Sequence, residues 1–309
     1  MKKQLFEWIE KYDIITIFHH INADGDALGS QFALLTWIKE QYPHKQVFAL
    51  GDDNSSLQHL FPKHDRVSDE MIQESLAIIV DTSTADRVND KRAFTAKCKY
   101  RIDHHKGTVS FTDYEIVQPQ ISSTCQLVTM LLMEHIQTPL SKEVSRYLYY
   151  GIITDTNSFQ TASVDMHTFE IAAYLASRGI NITEINRDLY TITRNLYEFR
   201  TFLMKQVVFL KNIAYVKITQ QDIKRFQISS NDAKECITCL NDIAEISIWG
   251  LLVEDEKTND IYNISLRSYK IVINNLAAKY GGGGHKYAVG IKCLSEVQWE
   301  KLLNELSNL

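Results

Sequence analysis

Apolar residues along this chain fall into two textures. Up to about residue 120, short unbroken apolar runs alternate with longer stretches of helical spacing. "IITIF" (14–18) and "LAIIV" (76–80) are nearly continuous apolar runs, as expected of strands covered on both faces of a parallel sheet. "QVFAL" (46–50) and "KYRI" (99–102) read as two further strands. Between the first two runs lies "ALGSQFALLTWIKEQY" (27–42), where Ala33, Leu34, Trp37 and Ile38 recur on one side of a helix. Strands alternating with helices predict a doubly wound, mainly parallel α/β domain.

From Ser122 to about Gln206 the texture turns helical. Ser141 ahead of Val144, Tyr147 and Leu148 predicts a capped helix start. Strands return with "IAYVKIT" (213–219), "ISIWGLLVE" (246–254) and "IYNISLRS" (261–268), followed by a predicted helix over 269–280 and four glycines, Gly281 to Gly284. The expected organisation is a larger domain over 1–190, a helical connector over 191–212 and a smaller C-terminal α+β domain over 213–309, with the active site in the cleft between them.

Polar clusters stand directly after the strands. His20, Asp24 and Asp26 follow the first, Asp81 follows 76–80, and Asp103, His104 and His105 follow 99–102. If the strands are parallel, all three clusters share the sheet edge at which open α/β folds bind ligands. Asp155, ending a long apolar helix, is expected to join them. Four carboxylates in one cleft repel unless some stay protonated or cations offset them. Two divalent ions would do so. The imidazoles of His20 and His104 complete a nitrogen–oxygen set without thiolate, which suits Mn²⁺; Co²⁺, Fe²⁺ or Mg²⁺ are the other candidates. Such a pair of ions activates water and grips a phosphoryl oxygen, so the predicted chemistry is hydrolysis of a phosphate ester or anhydride.

Composition narrows the partners. A net charge of −5 over 309 residues argues against coating long nucleic acid. No apolar run reaches the roughly 18–20 residues of a membrane span, and Glu7, Glu10, Lys11 and Asp13 interrupt any signal-peptide core. Five scattered cysteines make no disulfide framework, which points to a reducing cytoplasm. "CITC" (236–239) has metal or redox spacing but reads as core packing, since no second pair accompanies it. His19 reads as a residue that packs or bonds locally, and His64 as one of several scattered polar histidines.

"HINADGDALGS" (20–30), "DTS" (81–83), "IDHH" (102–105) and "GIITDTNSF" (151–159) resemble the four motifs of the DHH phosphoesterase family, a likeness that covers nearly the whole chain. Ala23 stands where many relatives have proline. The resemblance implies one metal on His20, Asp24 and Asp81, and a second on Asp26, Asp81, His104 and Asp155, with Asp81 bridging. It implies that His105 contacts the scissile phosphate while Asp103 orients the histidine pair. "NISLRS" and "NNLAAKYGGGGHKYAVG" (274–290) resemble the DHH-associated C-terminal domain. By that likeness Arg267, Ser268, Gly282, Gly283, Gly284 and His285 would hold the far end of the substrate. The implied substrates are short: nanoRNA, pApA cleaved to AMP, and 3′-phosphoadenosine 5′-phosphate (pAp). Cyclic di-AMP is the alternative, and pyrophosphate or polyphosphate a weaker one. A homodimer is compatible with the sequence.

Overall fold

The computed structural model describes residues 2–105, 109–135 and 138–309. Ile136 and Gln137, inside the predicted helical stretch, lie outside the described residues. The chain divides into two compact units, Met1–Tyr190 and Thr191–Leu309.

The first unit contains α1 (Lys2–Lys11), β1 (Ile14–Phe18), α2 (Gly25–Gln41), β2 (Gln46–Leu50), α3 (Asp69–Gln73), β3 (Leu76–Val80), β4 (Cys98–Asp103), β5 (Tyr114–Val117), α4 (Thr124–His135), α5 (Lys142–Asp155), α6 (Met166–Ala176) and α7 (Ile182–Tyr190). Its five strands are all parallel, in the order β2-β1-β3-β4-β5. This is the expected doubly wound domain. Every residue of β3 is buried, as is every residue of β1 after Ile14, which accounts for their lack of polar alternation. The chain leaves β1 for β2 on one side, and β3 lies on the other. The β1/β3 boundary is therefore the switch point, where loops diverge and open a crevice.

α2 is buried along most of its length and packs against α5. Glycines permit the contact. A Cβ on Gly29 would fall 2.5 Å from the Tyr147 carbonyl oxygen, and one on Gly151 would fall 2.2 Å from Cys125 Sγ and 2.8 Å from Asp26 Oδ1. Close packing of the two backbones brings the start of α2 beside the end of α5. Phe32, Leu34, Trp37 and Ile38 anchor the pair in the core, each fully buried side chain of this size stabilising by about 1.5–3 kcal/mol.

The second unit holds α8 (Arg194–Lys205), β6 (Val208–Leu210), β7 (Ile213–Ile218), α9 (Gln220–Phe226), α10 (Ser230–Glu235), β8 (Ile248–Glu254), β9 (Ile261–Ser268), α11 (Asn274–Lys279), β10 (Gly283–His285), β11 (Ala288–Ser295) and α12 (Glu296–Leu306). Its mixed sheet runs β10-β11-β9-β8-β7-β6. The segment expected as a connector belongs to this unit's core through Phe199 and Leu203 of α8. Cys236 and Cys239 pack into the same cluster. The helix predicted over 269–280 is confined to Asn274–Lys279. Lys270 adopts a left-handed φ of 61°, and the β-branched run Ile271–Ile273 that follows stays outside the helix, with the Ile273 amide donating to the Lys286 carbonyl at 2.9 Å. Among the described residues, no helix is long and apolar enough to cross a membrane.

Candidate metal centre

Each cluster predicted at a strand end is delivered by a distinct local device. Asp24 is the N-cap of α2. Its Oδ1 accepts from the amides of Asp26 and Ala27 at 3.1 and 3.0 Å, which leaves Oδ2 facing His20 Nε2 at 3.8 Å. Asp81 follows β3 with a φ of 52°, a left-handed conformation that aspartate tolerates better than most residues. Its Oδ2 lies 3.3 Å from His20 Nε2, and its Oδ1 lies 3.6 Å from His104 Nε2. The two oxygens of one carboxylate thus face two different imidazoles. Asp26 and Asp155 approach the second imidazole, their Oδ2 atoms 3.9 and 3.4 Å from His104 Nε2. His20, Asp24 and Asp81 form one group of convergent ligand atoms, and Asp26, His104 and Asp155 another.

The tautomers are set by backbone carbonyls. His20 Nδ1 donates to Ile21 O at 2.8 Å, and His104 Nδ1 donates to Ile121 O at 3.1 Å. Both Nε2 atoms are therefore turned toward carboxylates. Among the described residues His104 Nε2 has no hydrogen-bond partner, although it is buried among carboxyl oxygens. A cation between them resolves that conflict, so the residues fit a metal. His105 is oriented by Asp103, whose Oδ1 accepts from its backbone amide at 3.1 Å and from its Nδ1 at 2.8 Å. The His105 side chain is 39% exposed, unlike the buried acids beside it.

Electrostatics agree. Burial, then the charges of Asp26 and Asp24, push Asp155 up to about 8. Burial raises Asp26, with Asp24 adding to the effect. Burial and the Asp26 charge drive Asp81 well above the carboxylate range. Burial opposes charge on His20, but hydrogen bonds to Asp24 and Asp81 outweigh it and raise the imidazole to about 10. Without metal the cluster holds protons where cations would sit.

In the second unit, Gly283 to His285 form an edge strand rather than a loop. His285 pairs with Ala288, which pairs with Arg267 on the far side. Paired residues share a sheet face, so a small alanine separates Arg267 from His285. Arg267 is half-buried, with its guanidinium lowered by burial alone. A Cβ on Gly284 would fall 2.3 Å from Ala288 O, and one on Gly282 would fall 2.7 Å from Gly290 O. A Cβ on Gly283 would meet nothing within 4 Å. Packing thus explains Gly282 and Gly284 but not Gly283. Ser268 is buried, and its Oγ donates to Ile271 O at 2.6 Å, so its hydroxyl serves the turn after β9.

Comparison with known proteins places the chain in a family. A family model described as "DHH family, N-terminal domain" matches residues 14–152, and the DHHA1 domain model matches residues 211–309. An uncharacterized protein of Mycoplasma genitalium is 32% identical, over 97% of this chain and 93% of its own length. The chain belongs to the DHH family. It is accordingly a phosphoesterase, a metal-dependent hydrolase. The Bacillus subtilis relative named bifunctional oligoribonuclease and PAP phosphatase is 30% identical, over 100% of this chain and 98% of that one. Among solved structures, an exopolyphosphatase-related protein from Bacteroides fragilis superposes with a TM-score of 0.90 at 26% identity, covering 99% of this chain and 96% of that one.

The DHH cluster has supports that sequence reasoning missed. The Asp26 carboxylate sits on the N-terminus of α4, accepting from the amides of Thr124 at 2.6 Å and Cys125 at 2.8 Å. Thr124 Oγ1 donates to Asp81 Oδ1 at 2.9 Å. One turn of α4 therefore orients carboxylates from two different strand ends.

Proposed function

We propose that the protein is a two-metal, Mn²⁺-dependent phosphoesterase acting on short nucleotides: nanoRNA, pApA and pAp, with AMP as the product of the last two. The observation that carries the two-metal reading is Asp81, whose two carboxylate oxygens face the separate groups centred on His20 and His104. His20, Asp24 and Asp81 hold one ion; Asp26, Asp81, His104 and Asp155 hold the other. When bound, the ions supply an activated water and charge stabilisation at the phosphoryl group. The chain's own groups do the rest. His105, fixed by Asp103, contacts a phosphate oxygen. The backbone at Gly283, with Arg267 and His285, binds the far end of the nucleotide, which limits substrate length.

The name of the Bacillus subtilis relative supports the short-nucleotide class. The description of the Bacteroides fragilis structure gives polyphosphate a place in the test. Purified protein with Mn²⁺, with and without EDTA, would be offered pApA, pAp, an RNA pentamer, a 24-mer RNA, cyclic di-AMP, pyrophosphate and polyphosphate. The reading expects EDTA-sensitive release of AMP from pApA and pAp and of mononucleotides from the pentamer, with the 24-mer far slower. Asp81→Asn should abolish turnover. Cleavage confined to pyrophosphate or polyphosphate would overturn the short-nucleotide reading.

A further inference from the structure

Behind the first ligand loop lies a buried hydrogen-bond chain that the two-metal reading does not use. His19 is fully buried beside the end of β2. A Cβ on Gly51 would fall 2.1 Å from its Nε2, so glycine there makes room for the ring. His19 Nδ1 lies 2.7 Å from the carbonyl oxygen of His20. A carbonyl only accepts, so Nδ1 carries the proton. His19 Nε2 lies 3.1 Å from His64 Nε2, which itself lies 3.0 Å from Gln31 Oε1. The Gln31 amide is oriented by its Nε2, which donates to Ile17 O at 2.7 Å and to Leu50 O at 3.0 Å. On the opposite side, Asp53 Oδ1 accepts from His64 Nδ1 at 2.7 Å and from the His64 amide at 3.0 Å.

The donors and acceptors can be counted. His64 Nδ1 faces a carboxylate and donates. If both histidines were neutral, His64 Nε2, His19 Nε2 and Gln31 Oε1 would meet as three acceptors with no proton between them. A proton on His19 Nε2 would engage the His64 lone pair but leave Gln31 Oε1 without a donor. A proton on His64 Nε2 satisfies both neighbours at once. Asp53 supplies the compensating charge, its carboxyl lowered first by the His64 amide.

We propose that Asp53, His64 and His19 form a positioning relay for the metal centre: a doubly protonated His64 fixes the His19 tautomer, and His19 Nδ1–H pins the carbonyl of His20. His20 is held elsewhere as well, by its bridge to Val88 and by the Asn89 amide on His19 O at 2.8 Å. The relay adds a contact made by a buried side chain, and it reaches the loop from Asp53, whose side chain is partly exposed. Only its last step, the effect on metal, rests on the two-metal reading.

Two measurements on the full-length protein test it. Long-range ¹H–¹⁵N correlation of ¹⁵N-histidine-labelled protein, assigned with His19→Gln and His64→Gln, reads the ring protonation directly. At pH 7.5 the relay requires both His64 nitrogens protonated and His19 protonated at Nδ1 alone. An unprotonated nitrogen on His64 overturns it. Asp53→Asn keeps an acceptor for His64 Nδ1 and removes the charge. That variant should fold, lose one His64 ring proton and bind Mn²⁺ about 10-fold more weakly by calorimetry, the lower end of the effect seen for groups that orient metal ligands. Mn²⁺ affinity within twofold of the wild type would overturn the positioning role. A wild type that binds no Mn²⁺ would overturn the metal reading instead, and the ring spectrum would still decide the relay.

Discussion

Loading the metal centre should expel protons, and their number follows from the site's electrostatics. In metal-free protein at pH 7.5, His20, raised to about 10, is cationic. Asp155, raised to about 8, is roughly three-quarters protonated at that pH. Burial and the Asp26 charge raise Asp81 in the same direction. Ligation needs neutral imidazoles and ionised carboxylates, so filling the site releases about two protons. Each released proton weakens apparent affinity about tenfold per unit fall in pH. Between pH 7.5 and 6.5 the overall association constant should therefore drop about 100-fold. Calorimetric titration of EDTA-stripped protein with MnCl₂ in two buffers of different ionisation heat measures the proton count, and repetition at both pH values measures the slope. Release of less than one proton, or an affinity independent of pH over this interval, would refute the claim that the cluster holds protons in the places meant for metal.

Three further outcomes follow from particular residues. Folded Asp155 keeps a proton that the unfolded chain, at its ordinary 3.8, has lost; His20, at about 10 against 6.5, acts in the same direction at higher pH. The metal-free fold should therefore lose stability as pH rises through about 4 to 8 and on toward 10, with melting temperature in EDTA falling from pH 5.5 to 8.5; a rise over that range would contradict the assignment. Gly284→Ala should lower the melting temperature, because its Cβ would strike Ala288 O at 2.3 Å, whereas Gly283→Ala, in open space, should melt like the wild type and raise KM; equal melting losses would remove the case for Gly283 as a ligand position. Thr124→Val, which deletes the bond to Asp81, should weaken Mn²⁺ about 10-fold with little change in fold by circular dichroism, and unchanged affinity would argue against that support.

The convergence of the candidate metal ligands was legible because each strand-end cluster follows a predicted strand, and acidic residues at the end of a buried strand call for a chemical reason. β1, β2 and β3 were legible as short apolar runs, and β4 as a short strand ahead of the third polar cluster. β5 was not: Glu115 lies opposite Arg101 in the sheet register and pairs with it at 3.0 Å, a polar pair that hides an otherwise short apolar run. The glycine strand β10 was hidden by composition, since four glycines read as a loop until β11 supplies the ladder that pairs them. Thr124 and Cys125 escaped notice because their contribution to Asp26 is made by backbone amides, which every residue carries. The His19–His64 contact joins residues 45 apart, and its only sequence trace is two histidines of ordinary appearance.

The most direct test of the two-metal claim is a crystal of the wild-type protein grown with Mn²⁺, measured for anomalous scattering at the manganese edge. The account predicts two peaks astride Asp81, one against His20 and Asp24 and one against Asp26, His104 and Asp155, roughly 3.5–4 Å apart. A single peak, or two peaks that do not share Asp81, would contradict it.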